Sequence, residues 1–210
     1  MNINNLPKII SVFPLSDVVF FPKTVLPLNI FEKRYLQLVN DSMKDKRLFG
    51  MVQPKNTQMN KDVYEVGCLG KITNFNETSD RRFIINLSGI IRFRIIKELN
   101  NNKLYREFEV DYSDFSQDLK IIDDNKKFNK KDLLKKIKIF FNKKNYLINI
   151  NELENQNFEQ LINTLCMISP ISVAEKQKLI ETTSSMEKIE LFESIINFNL
   201  ADNFKNKTIQ

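Results

Sequence analysis

Chemistry near neutral pH draws on a short set of side chains, and the most versatile is missing: the 210 residues contain no histidine. That removes Ser-His-Asp and Cys-His triads, an imidazole base and every His-containing zinc site. The two cysteines, Cys68 and Cys166, form no Cys-x-x-Cys pair and read as small buried thiols in a reducing compartment. Gly70-Lys71 is the one Gly-Lys pair; Ile72 follows it inside a predicted strand, so no phosphate-cradling loop forms there. Serines and lysines abound, but no nucleophile elbow surrounds any serine. The carboxylate pairs Glu107/Glu109 and Asp123/Asp124 fall on a strand face and in a connecting segment, where solvated side chains are the expected reading. The sequence thus predicts no catalytic residue, no metal site and no cofactor.

Positive charge is the second kind of chemistry on offer. Nine lysines and one acid, Asp132, lie between Asn125 and Lys144, a net +8 in a chain whose total is +6. From Ile150 to Phe204, nine acids face three lysines. Lys131, Lys135 and Lys138 therefore sit in a basic helix beside acidic ones, and Arg92 and Arg94 alternate with apolar residues on a predicted strand. Together they form an alternative basic surface for an acidic partner or nucleic acid. Against nucleic acid, the helix carries Lys where base and phosphate readout favours Arg forks, and Phe93 points away from the Arg92/Arg94 face.

Two periodicities organise the elements that would position these groups. Up to about residue 116, runs dense in Ile, Val, Phe and Tyr predict strands over Ile9–Phe13, Val25–Phe31, Leu48–Gln53, Tyr64–Phe75, Phe83–Ile96 and Leu104–Tyr112. Gly67, Gly70 and Gly89 lie inside them, as at bulges and bends. One helix is inserted, with Tyr35, Leu36, Leu38, Val39 and Met43 as its apolar stripe. From about Asn129 the pattern is helical: Leu133, Leu134, Ile137, Phe140 and Phe141 share one face, and Ser172–Glu175 and Ser184–Glu187 read as capping boxes. Ser113–Asn125 reads as the linker between a β subdomain at 1–116 and a helical subdomain at 117–210. No signal peptide or membrane span is evident, so the chain is expected in the cytoplasm.

The most specific segment is residues 11–39. It contains Phe13-Pro14-Leu15, Phe21-Pro22-Lys23, Leu26-Pro27-Leu28 and Phe31-Glu32-Lys33-Arg34-Tyr35, followed by Glu65–Ile72 around Gly67 and by Leu87-Ser88-Gly89 with Arg92-Phe93. In this order the blocks resemble the N-terminal, substrate-binding domain of the Lon protease family. Three positions depart from that pattern: Lys23 stands where a turn glycine is usual, Asn29 where histidine is frequent, and Lys33 where proline is frequent. Lys23 implies a turn that either avoids positive φ or accepts strain.

The resemblance implies an α+β fold: a PUA-like, β-barrel-type N-terminal subdomain with one inserted helix, then an α-helical bundle. It further implies a stand-alone form without the family's ATPase and protease domains. The expected role is a non-enzymatic module that holds polypeptide clients or a partner protein, as an adaptor in protein quality control. The motif residues Phe13, Pro14, Leu15, Pro22, Leu26, Pro27, Leu28, Phe31, Glu32, Arg34, Tyr35, Gly67 and Gly89 then read as structural. Phe20 and Phe21 stand side by side; strand alternation would turn one of them outward, giving with Lys23 a candidate peptide-binding edge.

Overall fold

A computed structural model describes residues 2–55, 62–120 and 129–205, without the side chains of 202–205. The chain divides into two compact units, Met1–Ile121 and Ile122–Gln210.

The first unit is a mixed six-stranded sheet with one inserted helix. Its strands are β1 (Ile9–Pro14), β2 (Val25–Ile30), β3 (Leu48–Val52), β4 (Val66–Glu77), β5 (Phe83–Leu99) and β6 (Arg106–Asp111), with helix α1 at Lys33–Met43. The order is β2-β5-β4-β3-β1-β6, and β5 pairs with β6 as well. Five strands therefore close on themselves while β2 hangs outside on β5, so the sheet is curled but is not a clean barrel. Closure depends on the 17 residues of β5. Its first half pairs with β2 and β4, and Arg94–Leu99 turns to β6. Register shifts at Leu69/Gly70, Ile72/Asn74 and Ile95/Lys97 supply the bends.

Two glycines make the tight wrap possible. A Cβ on Gly89 would lie 2.2 Å from the Phe21 carbonyl oxygen, and one on Gly67 would lie 2.3 Å from that of Met51. Both are close approaches of backbone to backbone that only glycine allows. The interior is apolar, with Val12, Phe49, Leu69, Leu87, Ile91 and Phe93 all fully buried.

Ser113–Leu119, read from its polar composition as the start of a linker, is instead a 3-10 element with Phe115 and Asp118 buried. Lys120 borders it; Asp123, Asp124, Lys126 and Lys127 lie outside the described residues.

The second unit is helical: α2 (Lys130–Lys143), α3 (Ile150–Glu154), α4 (Phe158–Ile168), α5 (Val173–Glu181) and α6 (Ser185–Lys205). The α2 stripe of Leu133, Leu134, Ile137, Phe140 and Phe141 is buried as its spacing predicts. Helix α6 packs on α2, α4 and α5. Asn129 caps α2, Asn157 caps α4, and Ser172 with Glu175 forms the capping box of α5. Ser184 Oγ accepts from Glu187 N at the start of α6. Cys68 and Cys166 are both free and buried, one in each unit.

Candidate functional site

A groove of about 330 Å³ lies in the first unit where the end of β1, the β2–α1 junction and Leu104–Arg106 meet. Its floor is made by two of the sequence motifs. Tyr35 is buried, its ring 4.0 Å from that of Phe13, and its hydroxyl donates to the Pro14 carbonyl at 3.5 Å. Phe-Pro-Leu and Phe-Glu-x-Arg-Tyr are thus two sides of one cleft, although Phe13 and Glu32 lie 19 positions apart in the sequence. Pro14 ends β1 and Leu15 leaves it, so both line the groove partly exposed.

Two apolar side chains stand at the rim, and the charged groups around the groove are paired. Phe31 is 64% exposed and Leu104 63% exposed. Leu104 is fixed by its N–H donating to Gln37 Oε1 at 3.0 Å. Arg34 bridges Glu32 at 2.9 Å while its guanidinium lies 4.5 Å from the Tyr35 ring centre. Arg106 makes two 2.7 Å bonds to Glu98, whose carboxyl is held below its ordinary range by that contact. Burial pushes the phenols of Tyr35 and Tyr105 up. Paired charges lower the cost of covering the groove, and two exposed apolar side chains at its edge gain from being covered. Among the described residues no group of His, Cys, Asp and Glu is placed to hold a metal ion.

Neither ring of the Phe20/Phe21 pair faces solvent: Phe20 is 2% exposed and Phe21 0%. The alternation argument fails because residues 15–24 are not a strand. The segment coils over the sheet edge, Phe20 packing against Gly70 and the Phe21 carbonyl resting on Gly89. It is tied down by Thr24 Oγ1 donating to Phe21 O, Lys23 N to Gly89 O and Gly89 N to Thr24 O. Lys23 accepts the strained alternative, at φ 61°, and its ammonium donates to the Lys120 carbonyl at 2.8 Å. It pins the chain rather than lining a peptide edge. Pro22 is buried in the same turn; Leu28 is buried in β2, Leu26 is partly covered, and Pro27 faces out on this outer strand, where its missing N–H blunts edge pairing.

The basic strand is corrected likewise. Arg92 is 2% exposed, not on a wet face, because the 3-10 element covers that side of β5. Its backbone N, Nε and second terminal nitrogen all donate to Asp118, at 3.0, 2.9 and 2.7 Å. Arg94 remains partly exposed but bridges Asp114 at 3.0 Å and Glu65 at 3.8 Å. Lys131, Lys135 and Lys138 are exposed on α2, in the other unit. Sequence reasoning missed Leu104 and Arg106 in the groove, since nothing short of the β1–β6 register brings that segment beside Phe13.

The first unit is thus a curled mixed sheet whose groove is made by its Pro- and Tyr-bearing motifs, and the second is a helical bundle. Residues 9–197 match the substrate-binding domain of ATP-dependent protease La (LON), and the chain belongs to that family. The Lon protease of Buchnera aphidicola subsp. Acyrthosiphon pisum is 26% identical over 194 residues, 89% of this chain and 24% of that protein. Lon protease 2 of Myxococcus xanthus is 26% identical over 115 residues, 53% of this chain and 14% of that protein. The chain thus spans a quarter or less of these relatives. Among solved structures, a Lon N-terminal domain protein from Xanthomonas campestris superposes with a TM-score of 0.65 at 19% identity, covering 89% of this chain and 97% of its own. The N-terminal domain of Mycobacterium avium complex Lon protease gives 0.64 at 13% identity, covering 92% and 99%. Among the described residues no helix is long and apolar enough to cross a membrane.

Proposed function

We propose that this chain binds extended, apolar polypeptide in the Phe13–Tyr35–Leu104 groove without cutting it, and serves as an adaptor in protein quality control in the cytoplasm. The observation that carries the reading is the groove itself: a floor of Phe13, Pro14 and Tyr35, a rim of exposed Phe31 and Leu104, and charges already paired within the fold. The relatives are proteases whose matching segment is described as substrate-binding, which supports a holding role for the same segment here. Nucleic-acid binding through β5 finds no support, because Arg92 is buried and Arg94 is engaged by Asp114.

The test is anisotropy of a labelled, permanently unfolded client titrated with the wild type and with a Phe31→Ser/Leu104→Ser variant. Both side chains are mostly exposed, so the melting temperature is expected to hold while affinity falls about tenfold or more. Unchanged affinity would move the site elsewhere. Affinity that collapses with added salt would instead indicate a charge-driven ligand.

A further inference from the structure

The lysines of α2 fall into two classes. One ties the bundle together: Lys130 Nζ donates to the carbonyls of Glu154 and Gln156 at 2.8 Å, Lys136 bridges Glu193 at 3.3 Å, and Lys143 donates to the Leu200 carbonyl. The other class is Lys131, Lys135 and Lys138, all exposed. Their i, i+4, i+7 spacing stacks them on the outward face, over roughly 10 Å of helix. Among the described residues their one acidic neighbour within ion-pair reach is Asp132, 4.0 Å from Lys135.

A merely solvated helix face commonly interleaves Glu and Lys at i, i+4, so that each charge finds a partner on its own helix. This face does not. Three cations within about one Debye length add their potentials outward. Ile139, 59% exposed, lies on the same side beside Lys135 and Asn142.

We infer that this face docks an acidic polypeptide segment that also carries an aliphatic side chain. Charge complementarity selects carboxylates, and Ile139 gives the aliphatic group a contact. A nucleic acid fits less well: among the described residues the face has no Arg fork for a phosphate and no exposed aromatic on which a base could stack. The surface lies wholly on the helical unit, so it stands or falls independently of the groove.

The experiment uses the full chain and a fluorescein-labelled twenty-residue peptide in which Glu and Asp are interrupted by Leu at every fourth position. A Gln-for-acid version and a twenty-nucleotide single-stranded oligonucleotide serve as competing probes. The acidic peptide is expected to bind at 50 mM salt, in preference to both, and to weaken on the order of tenfold by 200 mM. Replacing Lys131, Lys135 and Lys138 together by Gln is expected to cost on the order of tenfold in affinity, with helicity and melting temperature held. The corresponding triple Arg variant is expected to retain binding. Tighter binding of the oligonucleotide, lost in the same Gln variant, would overturn the inference in favour of a phosphate ligand. Equal binding by the Gln variant, or none by the wild type at 50 mM salt, would overturn it as well.

Discussion

The Arg92–Asp118 pair offers the sharpest test of how the first unit is held together. Both side chains are almost fully buried, at 2% and 4% exposure, and Arg92 also lies 4.5 Å from the Phe115 ring centre. Replacing Asp118 by Ala removes the acceptor for three donors at once and takes a bonded carboxylate away from a buried guanidinium. Breaking such a pair from one side costs about 3–5 kcal/mol. For a unit of this size that lowers the melting temperature by roughly 12–20 °C. The charge-free pair Arg92→Met/Asp118→Leu is expected to recover much of this, but not all. The Arg92 backbone N–H still loses its acceptor, at about 1–3 kcal/mol. The chain has no Trp and five Tyr, of which Tyr35, Tyr64, Tyr105 and Tyr112 lie in the first unit. Near-ultraviolet circular dichroism of tyrosine therefore follows this unit's unfolding. A loss below about 1 kcal/mol for Asp118→Ala, or a double variant no more stable than the single one, would refute the clamp.

Other outcomes follow from the same packing. Phe20→Ala and Phe21→Ala are both expected to destabilise by about 3–5 kcal/mol, read by urea denaturation, since both rings are buried; a neutral result for either would return that side chain to the surface. Gly89→Ala forces a methyl onto the Phe21 carbonyl and is expected to cost ~3 kcal/mol or prevent folding, checked by the soluble yield and melting curve. Burial pushes the Cys166 thiol up to about 12. Because the folded chain holds that proton more tightly than the unfolded one, this stabilisation is complete below about pH 9 and is lost as pH rises toward 12. Cys166→Ala is expected to flatten that alkaline loss in a pH series of denaturation curves.

Most of the architecture was legible in local pattern. All six strands follow from runs dense in β-branched and aromatic residues and the α2 face from period-3.6 spacing, both of which depend on neighbours in sequence. What pattern could not supply was burial set by distant chain. Phe20 and Phe21 look like a strand with one face out, yet Gly70 and Gly89 let the segment coil down and bury both. Arg92 looks like a solvated strand position until Asp118, 26 residues on, covers it. The polar spelling of Ser113–Leu119 concealed its two buried anchors, Phe115 and Asp118. The groove was half legible: its motifs stood out in the sequence, but Leu104 joins them only through the pairing of β6 with β1.

The claim that the groove receives the polypeptide is tested most directly by placing a photo-crosslinking amino acid in turn at Phe31 and at Leu147. Leu147 is 99% exposed on the helical unit, beside a second apolar concavity of about 340 Å³. An unfolded apolar client is expected to crosslink at position 31 and to be displaced there by excess unlabelled client, with little product from position 147. Capture at 147 with none at 31 would contradict the assignment.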